Sequence, residues 1–428
     1  MKILVVGGGA REHALVWKLR QSARTMTIYC APGNAGIDRE AECVPIDPEA
    51  IHELLAFAEA RSIDLTVVGP ELPLSLGIAD LFRSRRLAIF GSSKAATEIE
   101  SSKVFAKEFM ARHGIPTAPF EVAASLAEGR SILDRRGARF PVVIKADGLA
   151  AGKGVILAAD RNEAEAALDG ILVEKRFGKA GSRVIIEDCL SGPETSFFVL
   201  TDGRHALPLE TCQDYKRLLD GDAGPNTGGM GGYSPSAHVD AALAAQVMDR
   251  VIMPTVRGME EEGRLYQGVL YAGLMLTAGG PQVLEYNARF GDPEAELLLA
   301  RLETDLVDLL VATIEGRLSE VPLAWRAPAA TCVVLASGGY PGRYETGKEI
   351  AGLERAAGRE GVVVFHAATR ERHGRLETSG GRVLTVTAIG ADRAEATRRC
   401  YGAVEAIRFD GGHFRTDIAG GRDAAGSR

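Results

Sequence analysis

The segment QVLEYNARFGDPEAE, Gln282 to Glu296, crowds Glu285, Asn287, Arg289, Asp292 and Glu294 into a stretch that begins like a strand beside a core. Strand side chains alternate between faces, so Glu285 and Asn287 are expected to point the same way. A carboxylate and an amide oxygen side by side suit a hard cation such as Mg2+. That ion takes one or two protein carboxylates and completes its octahedron with phosphate oxygens and water. Arg289 would then neutralise charge on a transferring phosphoryl group, and Asp292 would hold a cationic amine. A plain Arg–Asp–Glu ion-pair cluster fits the same residues.

Other stretches bear on the same chemistry. Lys145 lies inside the apolar strand VVIKAD, where its charge is costly without a partner. Contact with a phosphate, or solvent at a sheet edge, would satisfy it. The following DGLAAGKG is not a Walker A loop: Gly154 stands after Lys153 where Ser or Thr should ligate the metal. A glycine flap carrying Lys153 over phosphates, or a hairpin tip, remains. VIIEDCLSGPETSFFVL places Glu187 at a strand end and Glu194 beyond an apolar hinge. Backbone groups of such a hinge read an adenine edge and a distal carboxylate accepts ribose hydroxyls, although two solvated acids on a surface strand look identical. GPNTGGMGGYSP has five glycines in twelve residues, with Met230 and Tyr233 among them, unlike a Gly/Ser linker. It reads as a loop whose backbone closely approaches a ligand. GGGAREHA departs from the dinucleotide fingerprint, with Glu12 in place of the third glycine and no acidic residue closing a second strand that ends at Cys30. A nicotinamide site is set aside, while the helix N-terminus still offers N–H groups to a phosphate, with a plain tight turn as the other reading.

These residues need a scaffold of several domains, since 428 residues exceed one ordinary core. Residues 1 to about 100 repeat strand, turn and helix, the pattern of an open parallel sheet with ligands beyond the strand carboxyl ends. From Ser102 comes an amphipathic helix ending at Gly114, then a compact unit around FPVVIKA and RVIIEDCL with a helix from about Asn162 to Glu174. The Gly-rich loop precedes a long helix, and a last α/β block begins after about Trp325. The end, AGGRDAAGSR, reads as a frayed tail. A net charge of −7 argues against nucleic acid as partner, and no run of apolar residues is long enough for a membrane span. Six scattered cysteines without a CxxC pair, and histidines in no metal-binding spacing, indicate reduced thiols and no zinc.

Flap lysine, hinge with distal Glu and terminal Glu-x-Asn occur in the order found in the ATP-grasp superfamily. More closely, GGGAREHAL, APGNAG, VGPE, IKADGLAAGKGV, GPNTGGMGGYSP, YAGLM, EYNARFGDPE, ASGGYPG and TSGGRVLTVTA resemble the glycinamide ribonucleotide synthetase family of purine biosynthesis. The resemblance implies an α/β multi-domain protein: an N-terminal open parallel-sheet (pre-ATP-grasp) domain over 1–102, an ATP-grasp domain over 103–325 and a small C-terminal α/β domain over 326–428. The ATP-grasp domain would include a mobile glycine-rich flap subdomain at about 122–192. It further implies ATP with Mg2+ or Mn2+, and glycine and 5-phosphoribosylamine as small-molecule substrates. A cytoplasmic monomer or weak homodimer would be expected. By the same token Lys103, Lys145 and Gly152 would contact phosphates, with Lys153 on the flap. Glu187, Asp188, Cys189 and Leu190 would form the adenine hinge, and Glu194 would bind the ribose. Glu285 and Asn287 match the metal ligands, and Arg289 and Asp292 the residues handling acyl phosphate and amine. Gly9, Asn34 and Glu71 would line the phosphoribosylamine pocket, with Asp214, Lys216, Asn226, Thr227, Gly228 and Gly229 facing the reaction centre. Another ATP-grasp carboxylate–amine ligase or a purine transformylase is the alternative.

Overall fold

The computed structural model describes residues 1–420 apart from Ala138, Ala150–Lys153, Ala327 and Pro328. The expected tail beyond Gly420 lies outside the described residues, as do Gly152 and Lys153.

Residues 2–90 form a five-stranded, wholly parallel sheet in the order Glu42–Cys43, Thr27–Pro32, Lys2–Gly7, Leu65–Val68, Ile89–Phe90. The central strand KILVVG is apolar on both faces because helices cover both sides. Helix Ala10–Leu19 lies on one side and packs against helix Glu294–Arg301 of the middle of the chain. Glu12, which stands where the dinucleotide fingerprint has a glycine, fills the turn. Its carboxylate accepts the Gly9 N–H at 2.6 Å, and a methyl group added at Gly7 or Gly69 would overlap its side chain.

Two antiparallel four-stranded sheets follow. One runs Phe120–Ala123, Val184–Asp188, Val142–Ala146, Val155–Ala158 and buries a core under helices Leu126–Arg136 and Arg161–Leu168. The other runs Ala206–Pro208, Glu194–Thr201, Gly268–Thr277, Gly280–Asn287. Residues 189–193 connect them, which places the expected hinge between the sheets.

The last sheet corrects one expectation. GPNTGGMGGYSP is not a single loop: Ala223–Asn226 pairs with Arg217–Leu219 as a hairpin, and Gly231–Ser234 is a buried strand. That strand lies between Gln213–Asp214 and Ala329–Ala336 in a sheet completed by Arg382–Gly390 and Val362–His366. Glycine is required there for a steric reason. A Cβ on Gly231 would sit 2.5 Å from the Cys332 carbonyl oxygen.

Candidate active site

A cleft of about 2140 Å³ runs between the two antiparallel sheets and is walled by residues from all parts of the chain. One wall of it is basic and buried. Pairing of Val142–Ala146 with Val184–Asp188 brings Lys145 beside Glu187, at 2.6 Å between Nζ and Oε1, and Lys145 also donates to the Leu284 carbonyl at 3.0 Å. Lys107 reaches the other Glu187 oxygen and donates to Thr117 at 2.6 Å. All three charged groups are buried. Burial pulls the Lys107 ammonium down to about 8, with Glu187 pulling the other way and Lys145 adding to the depression. Two ammoniums sharing one carboxylate leave net positive charge in a low-dielectric wall, which suits a polyanion. Lys103, opening the helix capped by Ser102, donates to the Gly148 carbonyl at 3.1 Å. In the hinge, Asp188 pairs with Arg136, and Cys189 is exposed.

Beside that wall lies the strand Gly280–Asn287, which carries a bulge. Leu274 pairs with Val283 and Gly273 with Glu285, so Leu284 is an extra residue. Strict alternation would put Val283 on the face of Glu285. The bulge instead lets Val283 and Tyr286 enter one core, where the Tyr286 hydroxyl meets Thr255 at 2.6 Å. Glu285 and Asn287 line the cleft. Burial pushes the Glu285 carboxyl up, and Lys216, Lys103, Lys145 and Arg289 overcome it, leaving the group below its ordinary range. It is an anion held ready among cations. The buried Asn287 amide nitrogen has no hydrogen-bond partner. Among the described residues no group of three or more His, Cys, Asp and Glu could cage a metal. The Glu285 carboxylate next to the Asn287 amide oxygen fits a divalent ion that shares its coordination with a ligand's phosphates and with water, while the unpartnered N–H2 group of Asn287 is free to donate to a ligand oxygen.

The third wall is a network of arginines and acids. Arg289 lies 3.2 Å from Glu71 and 3.1 Å from Glu100. Arg11 donates to the Phe290 carbonyl at 3.1 Å. Asp292 pairs with Arg382 at 3.0 Å, so the amine-holding role expected of it would compete with an existing cation. Ser196 Oγ sits within 3.3 Å of Asp214, 2.9 Å of Tyr271 and 3.2 Å of Glu294. Lys216 lies 3.4 Å from Glu194 and 4.0 Å from Asp214. Burial lowers the Lys216 ammonium, but Asp214, Tyr271, Glu194 and Glu285 raise it well above its ordinary value. Burial also pushes Glu294 up to about 7, with Asp214 adding to the shift.

The cleft thus gathers Lys103, Lys145, Glu187, Asp188, Cys189, Leu190, Glu194, Glu71, Asp214, Lys216, Asn226, Thr227, Gly228, Glu285, Asn287, Arg289 and Asp292. Three residues stand off its lining. The Gly9 N–H is given to Glu12. Gly229 is wedged against Pro293 and offers its carbonyl to Arg382 at 3.4 Å. Asn34 donates to the Gly8 and His366 carbonyls at 2.9 and 2.8 Å and accepts from Gly36 and Ile37, so its amide is spent on backbone.

Lys107, Glu100, Arg11, Arg382 and Glu294 line the cleft without having been assigned a role from sequence. Lys107 had a signal, being four residues after Lys103 on one helix face. Arg382 had none, because its partner Asp292 is distant in sequence.

A family model described as phosphoribosylglycinamide synthetase matches in three parts: its N domain over residues 1–100, its ATP-grasp (A) domain over 101–295 and its C domain over 330–421. The chain is 51% identical over 422 residues to the phosphoribosylamine–glycine ligase of Ralstonia nicotianae, covering 98% of each. It is similar to the crystal structure of phosphoribosylamine–glycine ligase from Thermotoga maritima, with a TM-score of 0.85 at 34% identity, covering 98% of this chain and 100% of that one. The biotin carboxylase domain of Hydrogenobacter thermophilus 2-oxoglutarate carboxylase, solved with MgADP, shares the fold at a TM-score of 0.72 and 16% identity. That likeness covers 96% of this chain and 91% of the other.

Proposed function

The chain belongs to the phosphoribosylglycinamide synthetase family, and on that premise we propose that it joins glycine to 5-phosphoribosylamine at the expense of ATP. The products are glycinamide ribonucleotide, ADP and phosphate, a step of purine biosynthesis. The observation that carries this reading is one cleft in which the oxygen-bearing side chains of Glu285 and Asn287 meet the buried Lys145–Glu187–Lys107 cluster.

In this reading the glycine carboxylate attacks the γ-phosphorus of ATP and ADP leaves. The amine of phosphoribosylamine then attacks the acyl carbon of glycyl phosphate, and phosphate leaves with the electron pair of the broken C–O bond. Neither step needs a nucleophile from the protein, so the residues align, neutralise and exclude water. Lys103 and Lys145 hold phosphate oxygens, with Lys153 carried by the flap. The hinge Glu187–Leu190 reads the adenine and Glu194 takes the ribose hydroxyls. Glu285 and Asn287 hold the divalent ion, magnesium or manganese, which when bound neutralises the nucleotide's terminal phosphates. Arg289, already fixed by Glu71 and Glu100, presents a rigid guanidinium to phosphoryl charge. The Asp214, Lys216 and 226–229 region surrounds the acyl carbon, and the Gly9 and Glu71 side receives phosphoribosylamine. No helix among the described residues is long and apolar enough to cross a membrane. The reading carries with it a cytoplasmic enzyme working as a monomer or weak homodimer.

ADP release measured with each substrate omitted tests it. Release should require glycine and rise when phosphoribosylamine is added. Glu285→Gln should lower turnover by about 100-fold or more, the scale of losing transition-state electrostatics, with an unchanged melting curve. Release driven by another carboxylate or amine would move the chain to a different ATP-grasp chemistry.

A further inference from the structure

Asp214 and Lys216 line the cleft from one extended stretch, and the Tyr215 side chain between them packs against the core built by the last part of the chain. What lies behind Tyr215 therefore sets how firmly its two neighbours are held. The Arg415 guanidinium stacks on the Tyr215 ring at 4.8 Å. Arg415 is 1% exposed, and it donates to the Arg217 carbonyl at 3.1 Å and to Asp222 at 2.7 Å. Asp417 receives it bidentately at 2.7 and 2.6 Å.

Its neighbours repeat the grip along the hairpin Arg217–Asn226. His413 meets the Leu218 carbonyl at 3.0 Å. The Thr416 N–H donates to Asp220 at 2.8 Å and its hydroxyl to the other oxygen of the same carboxylate. Asp417 accepts the Gly221 N–H at 2.8 Å, and the Ala419 N–H donates to the Tyr215 hydroxyl at 3.2 Å. The hairpin needs this support. Its strands Arg217–Leu219 and Ala223–Asn226 pair only with each other, and four residues of the second are exposed. An isolated two-stranded hairpin is marginal in water, and glycines raise the entropy of ordering it. A bidentate, buried Arg–carboxylate contact is the kind of interaction strong enough to oppose that. At its base the hairpin is closed by Thr227, whose N–H reaches the Lys216 carbonyl at 2.8 Å.

We propose that Arg415 is a positioning residue of the ligase. With the segment His413–Ala419 it clamps the hairpin from behind and thereby fixes Asp214 and Lys216 at the reaction centre. The clamp acts chiefly on the glycine and amine steps, because Lys107, Lys145 and Glu187 stand on other elements and the stretch meets the nucleotide side through the 3.4 Å contact of Lys216 with Glu194. This rests on the ligase reading for its substrates, but not for its mechanics.

Arg415→Lys keeps the charge and loses the fork. Asp222→Asn alters an exposed carboxylate and serves if the buried change prevents folding. For each, kcat/KM with glycine varied, ATP affinity by calorimetry and amide hydrogen exchange over 217–227 are measured. The expected result is a roughly tenfold fall in kcat/KM for Arg415→Lys and about threefold for Asp222→Asn, from loss of alignment alone. ATP affinity should stay within about twofold, and exchange should quicken across the hairpin and not elsewhere. Unchanged exchange, unchanged kcat/KM, or a parallel loss of ATP affinity overturns the proposal. If the unaltered protein shows no glycine-dependent turnover, the ligase reading falls, while exchange over 217–227 still decides the clamp.

Discussion

Glu71 and Glu100 grip the same guanidinium, Arg289, yet titrate far apart. Burial acts upward on both. For Glu71, Arg289 and Arg11 reverse it and bring the carboxyl down to about 2. Glu100 lies deeper, and burial with the Glu71 charge leaves it up at about 7 despite Arg289 and the Ala288 N–H. In the unfolded chain Glu100 would titrate near 4.5. Between these values the folded chain binds a proton that the unfolded chain has lost, so stability falls as pH rises through that window and is fully present below it. Glu100→Gln should accordingly flatten the fall in melting temperature between about pH 5 and pH 8. Parallel slopes in the two proteins would show that the group is ionised throughout. Individual residues such as Glu285, Asn287 and Lys145 were legible because polar groups in apolar strands stand out against their local pattern. Glu100 and Arg382 were not. Their meaning comes from partners far along the chain, Arg289 and Asp292, which no local pattern announces.

The elements were legible where one periodicity governs them, as in KILVVG or the helix from Lys103, and misread where glycine breaks it. GPNTGGMGGYSP looked like a loop because glycine has low strand propensity, whereas Gly231 and Gly232 are the residues that let Gly231–Ser234 lie close against its neighbours. The bulge at Leu284 was equally invisible. Its signal is only that VLEYN, strictly alternated, would bury a glutamate with a valine. Gly192 matters similarly in the connection between the two antiparallel sheets. Its φ is +150°, and a Cβ would lie 2.1 Å from the Leu276 carbonyl oxygen. Gly192→Ala should destabilise the protein by about 1–3 kcal/mol, from combined strain and overlap. Because Glu194 follows so closely, ATP affinity should weaken too. Urea unfolding and calorimetric titration check both. A variant as stable as the parent would mean that this connection yields without cost.

At the scale of the molecule, the blocks share a hydrophobic core and are tied by polar side chains that cross between them. Asn34 is one, joining the turn after the first parallel strand to the carbonyls of His366 and Ala367 at 2.8 and 3.2 Å. Asn34→Ala strands several buried backbone groups and should cost about 1–3 kcal/mol. ATP affinity should persist, since Asn34 stands off the cleft. Thermal unfolding with and without ATP reads this out, and an unaltered transition would deny the joint any weight. The order of blocks was readable from composition shifts, while their interlocking was not, because strand partners are chosen by surfaces that exist only after folding.

The sheet that takes Gly231–Ser234 between Gln213–Asp214 and Ala329–Ala336 has a consequence for where the chain divides. A gene severed just ahead of Ala329 would strip one edge of a strand encoded about a hundred codons upstream, exposing bare amides to any passing chain. The last portion of this protein and the strand Gly231–Ser234 are therefore one structural unit. The hairpin Arg217–Asn226 likewise has its backing nearly two hundred residues further along the chain.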